Sequence, residues 1–310
     1  MYKYILRRLL QMVPMLIAVA FIVFFIMNLI PGDPGRTLLG PNADQEQVDI
    51  LNEKLGYNAP YFQRFFNNIK NIVLHFDFGL SYASQKPVID ELLAKIPNTL
   101  KLGISSVLLS SILGIVLGVV AAVKQNSFTD NAITVLSMIS AVMPSYWLGM
   151  LLVLGFSLKL GWFPSSGAGS FSHFVLPVAT LTLSGLGSTM RMTRSVMLES
   201  LRNDYVRTIR AKGVPERVVV YGHALRNAML PLITKIGTQL ASIMAGTVLT
   251  ETVFNIPGVG RYMVVAIGNK DIPAVMTSTI LFALVFSVVM LLMDIVYALV
   301  DPRMRAKYTR

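Results

Sequence analysis

Long apolar runs alternate with polar connectors along most of this chain. Stretches free of Asp, Glu, Lys and Arg cover 9–32, 102–123, 131–158, 160–190, 236–250 and 272–293. About 20 mostly apolar residues carry a helix across the hydrocarbon core. The pattern therefore predicts six transmembrane helices, near 9–30, 102–123, 134–158, 172–190, 229–251 and 274–299, the fifth interrupted by Lys235. The first run is longer than the roughly 7–15-residue apolar region of a secretory signal. It is expected to stay as an uncleaved anchor.

Between the first two spans lies a polar-to-amphipathic region, 31–99. Pro31-Gly32-Asp33-Pro34 stops the first helix and turns the chain. A surface helix is predicted near 44–54. Tyr61, Phe62, Phe65, Phe66 and Ile69 follow at near-helical spacing, and Val88, Ile89, Leu92, Leu93 and Ile96 form another amphipathic piece. Both pieces read as packing elements on the membrane interface or against the bundle. Within the spans, Gly114 and Gly118 form a GxxxG pair that permits close helix contact. Pro144, followed by Ser145, Tyr146 and Trp147, is expected to kink the third span. The kink fits either a packed bend or the lining of a pathway. The fifth span is rich in small and polar residues, among them Thr234, Gly237, Thr238, Gln239, Ser242 and Gly246. Such a helix is expected to be central. It reads either as an ordinary buried helix or as the lining of a translocation path formed by Thr238, Gln239, Ser242 and Gly246 with Pro144 and Ser145.

Composition agrees with a membrane protein: 54% of the 310 residues are hydrophobic and 14% charged, against roughly 25% charged in soluble domains. Sixteen Lys and Arg flank the spans on one side: at the N-terminus, at Lys124, through 191–227 and in the tail. The opposite short loops hold Lys159, Arg261 and Lys270. By the positive-inside rule both termini and the 191–227 loop are cytoplasmic. This placement of charge accounts for most of the net +11 and speaks against a nucleic-acid partner. With no cysteine, disulfide frameworks and thiol chemistry are excluded.

The basic loop carries the most information. Asp204-Tyr205-Val206-Arg207-Thr208-Ile209-Arg210-Ala211-Lys212 predicts a helix that Gly213 ends. Pro215 suits the first turn of a second helix, containing Glu216, Arg217, Val218, Val219, Val220, His223 and Arg226. Asn227 and Pro231 mark re-entry into the membrane. The product is a helix–turn–helix elbow whose apolar face can fill a groove on a partner, or rest on anionic lipid.

These residues resemble the EAA loop of permeases in binding-protein-dependent ABC importers, with Gly213 and Pro231 in the places of its Gly and Pro. Arg191-Met192-Thr193-Arg194-Ser195, Asp204-Tyr205-Val206-Arg207-Thr208 and Arg210-Ala211-Lys212-Gly213 are similar to the loop of the dipeptide, oligopeptide and nickel group. Ile5-Leu6-Arg7-Arg8-Leu9, Pro31-Gly32-Asp33-Pro34, Glu251-Thr252-Val253-Phe254, Pro257-Gly258-Val259-Gly260, Asp271-Ile272-Pro273 and Asp301-Pro302-Arg303 extend the resemblance over nearly the whole chain. Arg207-Thr208-Ile209 stands where the general loop has Glu-Ala-Ala, so contacts of that glutamate do not carry over.

The resemblance implies an all-α membrane protein with a type I (MetI-like) permease core, an N-terminal anchor helix and a large extracytoplasmic loop. Its parts are 1–30 (anchor), 31–99 (extracytoplasmic region), 100–303 (five-helix core, with coupling loop 199–228) and 304–310 (basic tail). It implies a cell-membrane heterodimer with a second permease, two ABC ATPases that bind ATP and Mg, and an extracytoplasmic peptide-binding protein or lipoprotein. The coupling residues are then Asp204, Arg207, Arg210, Ala211, Lys212, Gly213, Glu216, Arg217, Val218, Val219 and His223, with Val218 and Val219 as an apolar knob.

The chain has no G-x-x-x-x-G-K-[ST] run and no H-E-x-x-H run. It is expected to be non-catalytic and to bind no cofactor or metal itself. Three histidines, His75, His173 and His223, have no ligand partner at a recognisable spacing. Transport of di- or oligopeptides is the leading reading. A nickel or metal-chelate permease and a stand-alone secondary transporter or channel are the alternatives.

Overall fold

The computed structural model describes residues 2–29 and 33–300, with the side chains of 2–4, 243–246 and 297–300 outside the described set. Pro31-Gly32 and Asp301-Pro302-Arg303 with the tail 304–310 also lie outside it. The described chain is all-helical, with one isolated bridge between Leu80 and Pro87. In order the helices are α1 (Tyr2–Leu29), α2 (Pro34–Leu39), α3 (Gln45–Lys54), α4 (Tyr61–His75), α5 (Val88–Val123), α6 (Phe128–Val142), α7 (Ser145–Leu152), α8 (Ser172–Arg202), α9 (Asp204–Ala211), α10 (Leu225–Val253), α11 (Val259–Gly268) and α12 (Ile272–Val300). Wider π-helical turns extend α7 over Val153–Lys159 and lead into α10 over Val218–Ala224.

Among the described residues three helices are long and apolar enough to cross a membrane: α1, α5 and α12. Two further stretches qualify only as bent pairs. One joins α6 to Ser145–Lys159 through a 104° bend, and the other joins Val218–Ser242 to Thr247–Val253 through 51°. The expected kink at Pro144 is thus a break. Pro144 has no N–H to donate and disfavours helical backbone in the residue before it, and Met143 is extended (φ −66, ψ 124). α8 has the length of a span but is not among these candidates. Its buried positions include Thr180, Thr182, Thr189 and Thr193. A helix packed among others need not be apolar all round, and Thr180 and Thr193 return their hydroxyls to carbonyls four residues back, each at 2.8 Å. The amphipathic piece at 88–96 is not a separate element either. It is the beginning of α5, which runs on through Pro97.

The chain divides into two compact units. The N-terminal unit comprises Tyr2–Thr99 with Pro257–Ser287. Its core gathers Phe24 from α1, Phe65 from α4, Leu92 from α5, Val259 from α11 and Ile272 to Met276 at the start of α12. The aromatic spacing on α4 explains its seat: Tyr61, Phe65 and Ile69 recur every four residues and face inward, while Phe62 and Phe66 are exposed. Phe24 lies 4.9 Å from Tyr61 and 5.5 Å from Phe65, ring to ring. Polar anchors complete this unit. The buried Asp271 carboxylate accepts from Ser81 Oγ at 2.5 Å and from the Ala83 and Ala274 amides, both at 3.2 Å. Glu91 accepts from Tyr262 Oη at 2.8 Å, and Lys95 Nζ lies 4.6 Å from the centre of the same tyrosine ring. Asn98 and Thr99 bind the Pro257–Val259 backbone at 3.0 and 2.9 Å.

Among the described residues the core unit comprises Leu100–Ile256 with 288–300. α8 packs against α6, α7 and α10. A Cβ at Gly114 would stand 2.7 Å from Thr189 Cβ. One at Gly118 would stand 2.5 Å from Thr193 Cβ and 2.8 Å from the Met190 carbonyl oxygen. The GxxxG pair is therefore the crossing of α5 on α8. Asp130, buried at the start of α6, accepts from Nε and Nη2 of Arg194 on α8, at 2.6 and 2.7 Å.

Candidate functional site

The elbow forms where α8 ends. Asn203 is extended (φ −68, ψ 149) and reverses the chain into α9. The Gly213 amide donates to the Arg210 carbonyl at 3.0 Å, and Gly213 itself sits at φ +74. A Cβ there would meet nothing within 4 Å. The demand for glycine is thus conformational: L-residues pay to enter the left-handed region. Helical structure resumes at Glu216, and the Val218 and Val219 amides donate back to Pro215 at 2.9 and 3.1 Å. Arg210 closes the turn with two bonds to Glu216, Nε to Oε2 at 3.1 Å and Nη2 to Oε1 at 2.6 Å. The guanidinium beside it holds the Glu216 carboxyl below its ordinary value.

One side of the elbow is sealed against its own chain. Val206, Val219, Val220 and Ala224 are buried, the last two in a cluster with Val119, Ala122, Met197 and Ala228. Ser200, near the end of α8, donates to the Ala224 carbonyl at 3.0 Å and lies 2.6 Å from Tyr205 Oη. One hydroxyl thereby joins α8, α9 and the π turns. The other side is open: Asp204, Arg207, Arg210, Ala211, Lys212, Gly213, Glu216, Arg217, Val218 and His223 are all exposed. Ile209 is half-buried.

One correction concerns the apolar knob. Val219 is fully buried and cannot present itself to a partner. The exposed apolar pair is Val218 with Tyr221, at 46% and 55% exposure. The only sequence signal for this pair was its apolar character, since both residues lie in π-helical turns where a spacing of three does not define a face. The Ser200–Tyr205–Ala224 brace had none, since a serine near a helix end is commonplace. α10 runs through Asn227 and Pro231 without a break.

On α10, Thr234, Thr238 and Ser242 recur every four residues and are exposed, forming one polar stripe. Gln239 is not on it. Its amide donates to Ser110 Oγ on α5 at 2.9 Å and accepts from Thr189 Oγ1 on α8 at 3.2 Å. It is a packing residue of the core unit, inside the bundle, where unpaired polar groups are costly. Pro144 is exposed and Ser145 half-buried at the α6–α7 break, and α7 packs on α10. The side chains around Gly246 lie outside the described residues. Among the described residues no group of three or more His, Asp or Glu is placed to hold a metal.

The profile described as "Binding-protein-dependent transport system inner membrane component" matches residues 114–306, and a companion N-terminal profile matches 1–103. This chain is a permease of that family. It is 38% identical over 307 residues to "Glutathione transport system permease protein GsiC" of Escherichia coli (strain K12), covering 99% of the chain and 100% of that relative. The GsiC of Shigella dysenteriae serotype 1 gives the same figures. The fold is shared with an inward-facing structure of the MetNI methionine ABC transporter, at a TM-score of 0.57 and 17% identity over 69% of this chain and 98% of that one. The permease therefore has the MetI-like all-helical core. It is a membrane-spanning, non-catalytic subunit of an ABC importer in the inner membrane, working with a substrate-binding protein and an ATPase.

Proposed function

We propose that this permease is one half of a heterodimeric translocation unit for di- or oligopeptides, driven by two ATPases that grip the 204–227 elbow. The full-length similarity to glutathione permeases, whose substrate is itself a small peptide, supports the substrate class. The observation that carries the coupling role is the two-sided elbow: one face sealed by Val206, Val219, Val220 and Ala224, the other presenting charges around Val218 and Tyr221. A short helix with an exposed apolar pair and a charged rim suits a groove on a soluble partner. The charge asymmetry of the connectors supports cytoplasmic termini, a cytoplasmic elbow at 199–228 and an extracytoplasmic region at 31–99.

In this reading nucleotide-loaded ATPases bind the two conformations of the permease with different affinity, and that difference moves the bundle. Arg210, Lys212, Glu216, Arg217 and His223 make the polar rim, with Asp204 and Arg207 on α9 beside them. The Thr238–Ser242 stripe of α10 and the Pro144–Ser145 break face the path. The decisive experiment uses the complete transporter in proteoliposomes. Gly213→Pro forces φ to about −65° where the chain needs the left-handed region. It is expected to leave the complex inserted while glutathione-stimulated ATP hydrolysis no longer drives uptake of labelled glutathione or dipeptide. Full uptake by the variant would sink the coupling role. Uptake of labelled nickel in place of peptide would overturn the substrate class.

A further inference from the structure

A cavity of about 700 Å³ opens between α6 and α8 and reaches Arg202 and Asn203, where α8 passes into α9. Its lining has two characters. Arg191, Arg194 and Arg202 supply guanidinium groups, with Thr134 and Ser195 adding hydroxyls, while Ile133 and Leu198 form an apolar wall backed by the buried Met190. Asp130 neutralises Arg194, and Glu199 at the rim offsets one more charge. Three positive charges less two negative ones leave a net +1. Arg191 uses Nη1 to hold the Ser137 carbonyl at 3.0 Å, which fixes the side chain across the cavity while other donors stay available. Arg191 and Arg202 are both exposed.

We infer that this cavity binds the headgroup of an anionic phospholipid. Arg191 closes the uncharged run 160–190, so the cavity stands at the end of an apolar stretch, the level at which a headgroup lies. The outward face of α6 beyond it is apolar and exposed at Val135, Leu136, Met138 and Ile139, a surface that suits acyl chains. Guanidinium groups bind phosphate oxygens in a bidentate fork, and basic pockets between membrane helices accept such headgroups. An inorganic anion would leave the apolar wall of Ile133 and Leu198 unused. The site rests on the orientation proposed above only for which leaflet it faces.

The test uses the complete transporter in nanodiscs of phosphatidylglycerol or phosphatidylcholine, with retained lipids counted by native mass spectrometry. Phosphatidylglycerol should be retained in preference. Arg191→Gln and Arg202→Gln should each weaken retention about fivefold, from the worth of one surface arginine toward an anionic headgroup. If Arg191→Gln disturbs assembly through Ser137, Arg202→Gln alone carries the measurement. Equal retention of both lipids, or full retention by the variants, overturns the proposal. So does displacement of phosphatidylglycerol by millimolar inorganic phosphate, which would mark a soluble-anion site. High-yield crosslinking of Arg202→Cys to the ATPase in phosphatidylglycerol discs would also overturn it, because the cavity would then be covered by protein. Labelling of Ser195→Cys by an impermeant reagent from outside would refute the orientation, and with it the leaflet, while lipid retention is read independently.

Discussion

The two units of the permease are held together by different means. In the N-terminal unit large side chains do the packing: Phe24, Phe65 and Leu92 fill its centre, and carboxylates at Asp271 and Glu91 tie loop to helix. In the core unit the centre of the α5–α8 crossing is occupied by almost nothing, since Gly114 and Gly118 admit Thr189 and Thr193 to contact. Lipid tails are as apolar as leucine, so helices in a bilayer gain little from burying leucine against leucine. Close approach and shared hydroxyl bonds take over. The N-terminal unit instead relies on aromatic packing, where Phe24 of α1 meets Tyr61 and Phe65 of α4.

The largest expected effect lies at the glycine crossing. Gly118→Leu must displace Thr193 and the Met190 backbone together, beyond the 1–3 kcal/mol typical of overpacking. The variant should fail to assemble, whereas Leu92→Met in the N-terminal unit should cost under about 1.5 kcal/mol. Thermal stability of the detergent-solubilised complex reads both, and equal losses would erase the contrast. Next comes Arg194→Ala, which strands the buried Asp130 charge. Removing one partner of a buried pair costs about 3 kcal/mol, read as a lower melting temperature that Asp130→Asn in the same background should restore. Asp271→Ala orphans Ser81 and the Ala83 amide, at about 1–3 kcal/mol, and should raise protease sensitivity within 77–87 before 204–227. The smallest effect belongs to Glu216→Gln. Its carboxyl is held below the usual range, so any contribution exists above that range and fades as pH falls through the depressed value. The pair is exposed, at 42% and 57%, and the loss should stay under about 1 kcal/mol. Melting curves of parent and variant should therefore differ little at pH 7 and converge as pH falls through the depressed value.

Much of the fold can be read from the chain before any coordinates. α1, α5 and α12 are uniformly apolar over the required length, and the elbow stands out as a polar passage punctuated by Gly213 and Pro215. The errors have physical causes. Local pattern cannot separate a kink from a break at Pro144, because the outcome depends on whether neighbouring groups re-satisfy the freed carbonyls. It sees polarity at Gln239 but not direction, and the side chain turns toward Ser110 and Thr189 rather than toward the stripe. It sees three valines at 218–220 but not which face the chain itself covers, so Val219 looks available when it is buried. The polarity of α8 lowers its membrane signature because neighbouring helices, not lipid, surround Thr180, Thr189 and Thr193.

The helix that begins at Glu216 continues without interruption to Ser242. At 1.5 Å per residue this is a rod about 40 Å long. Pivoted at its elbow end by about 10°, such a rod sweeps Ser242 sideways by about 7 Å. A small rotation about the elbow is thus geared up into a displacement as wide as a peptide backbone, with no need for the rod itself to deform.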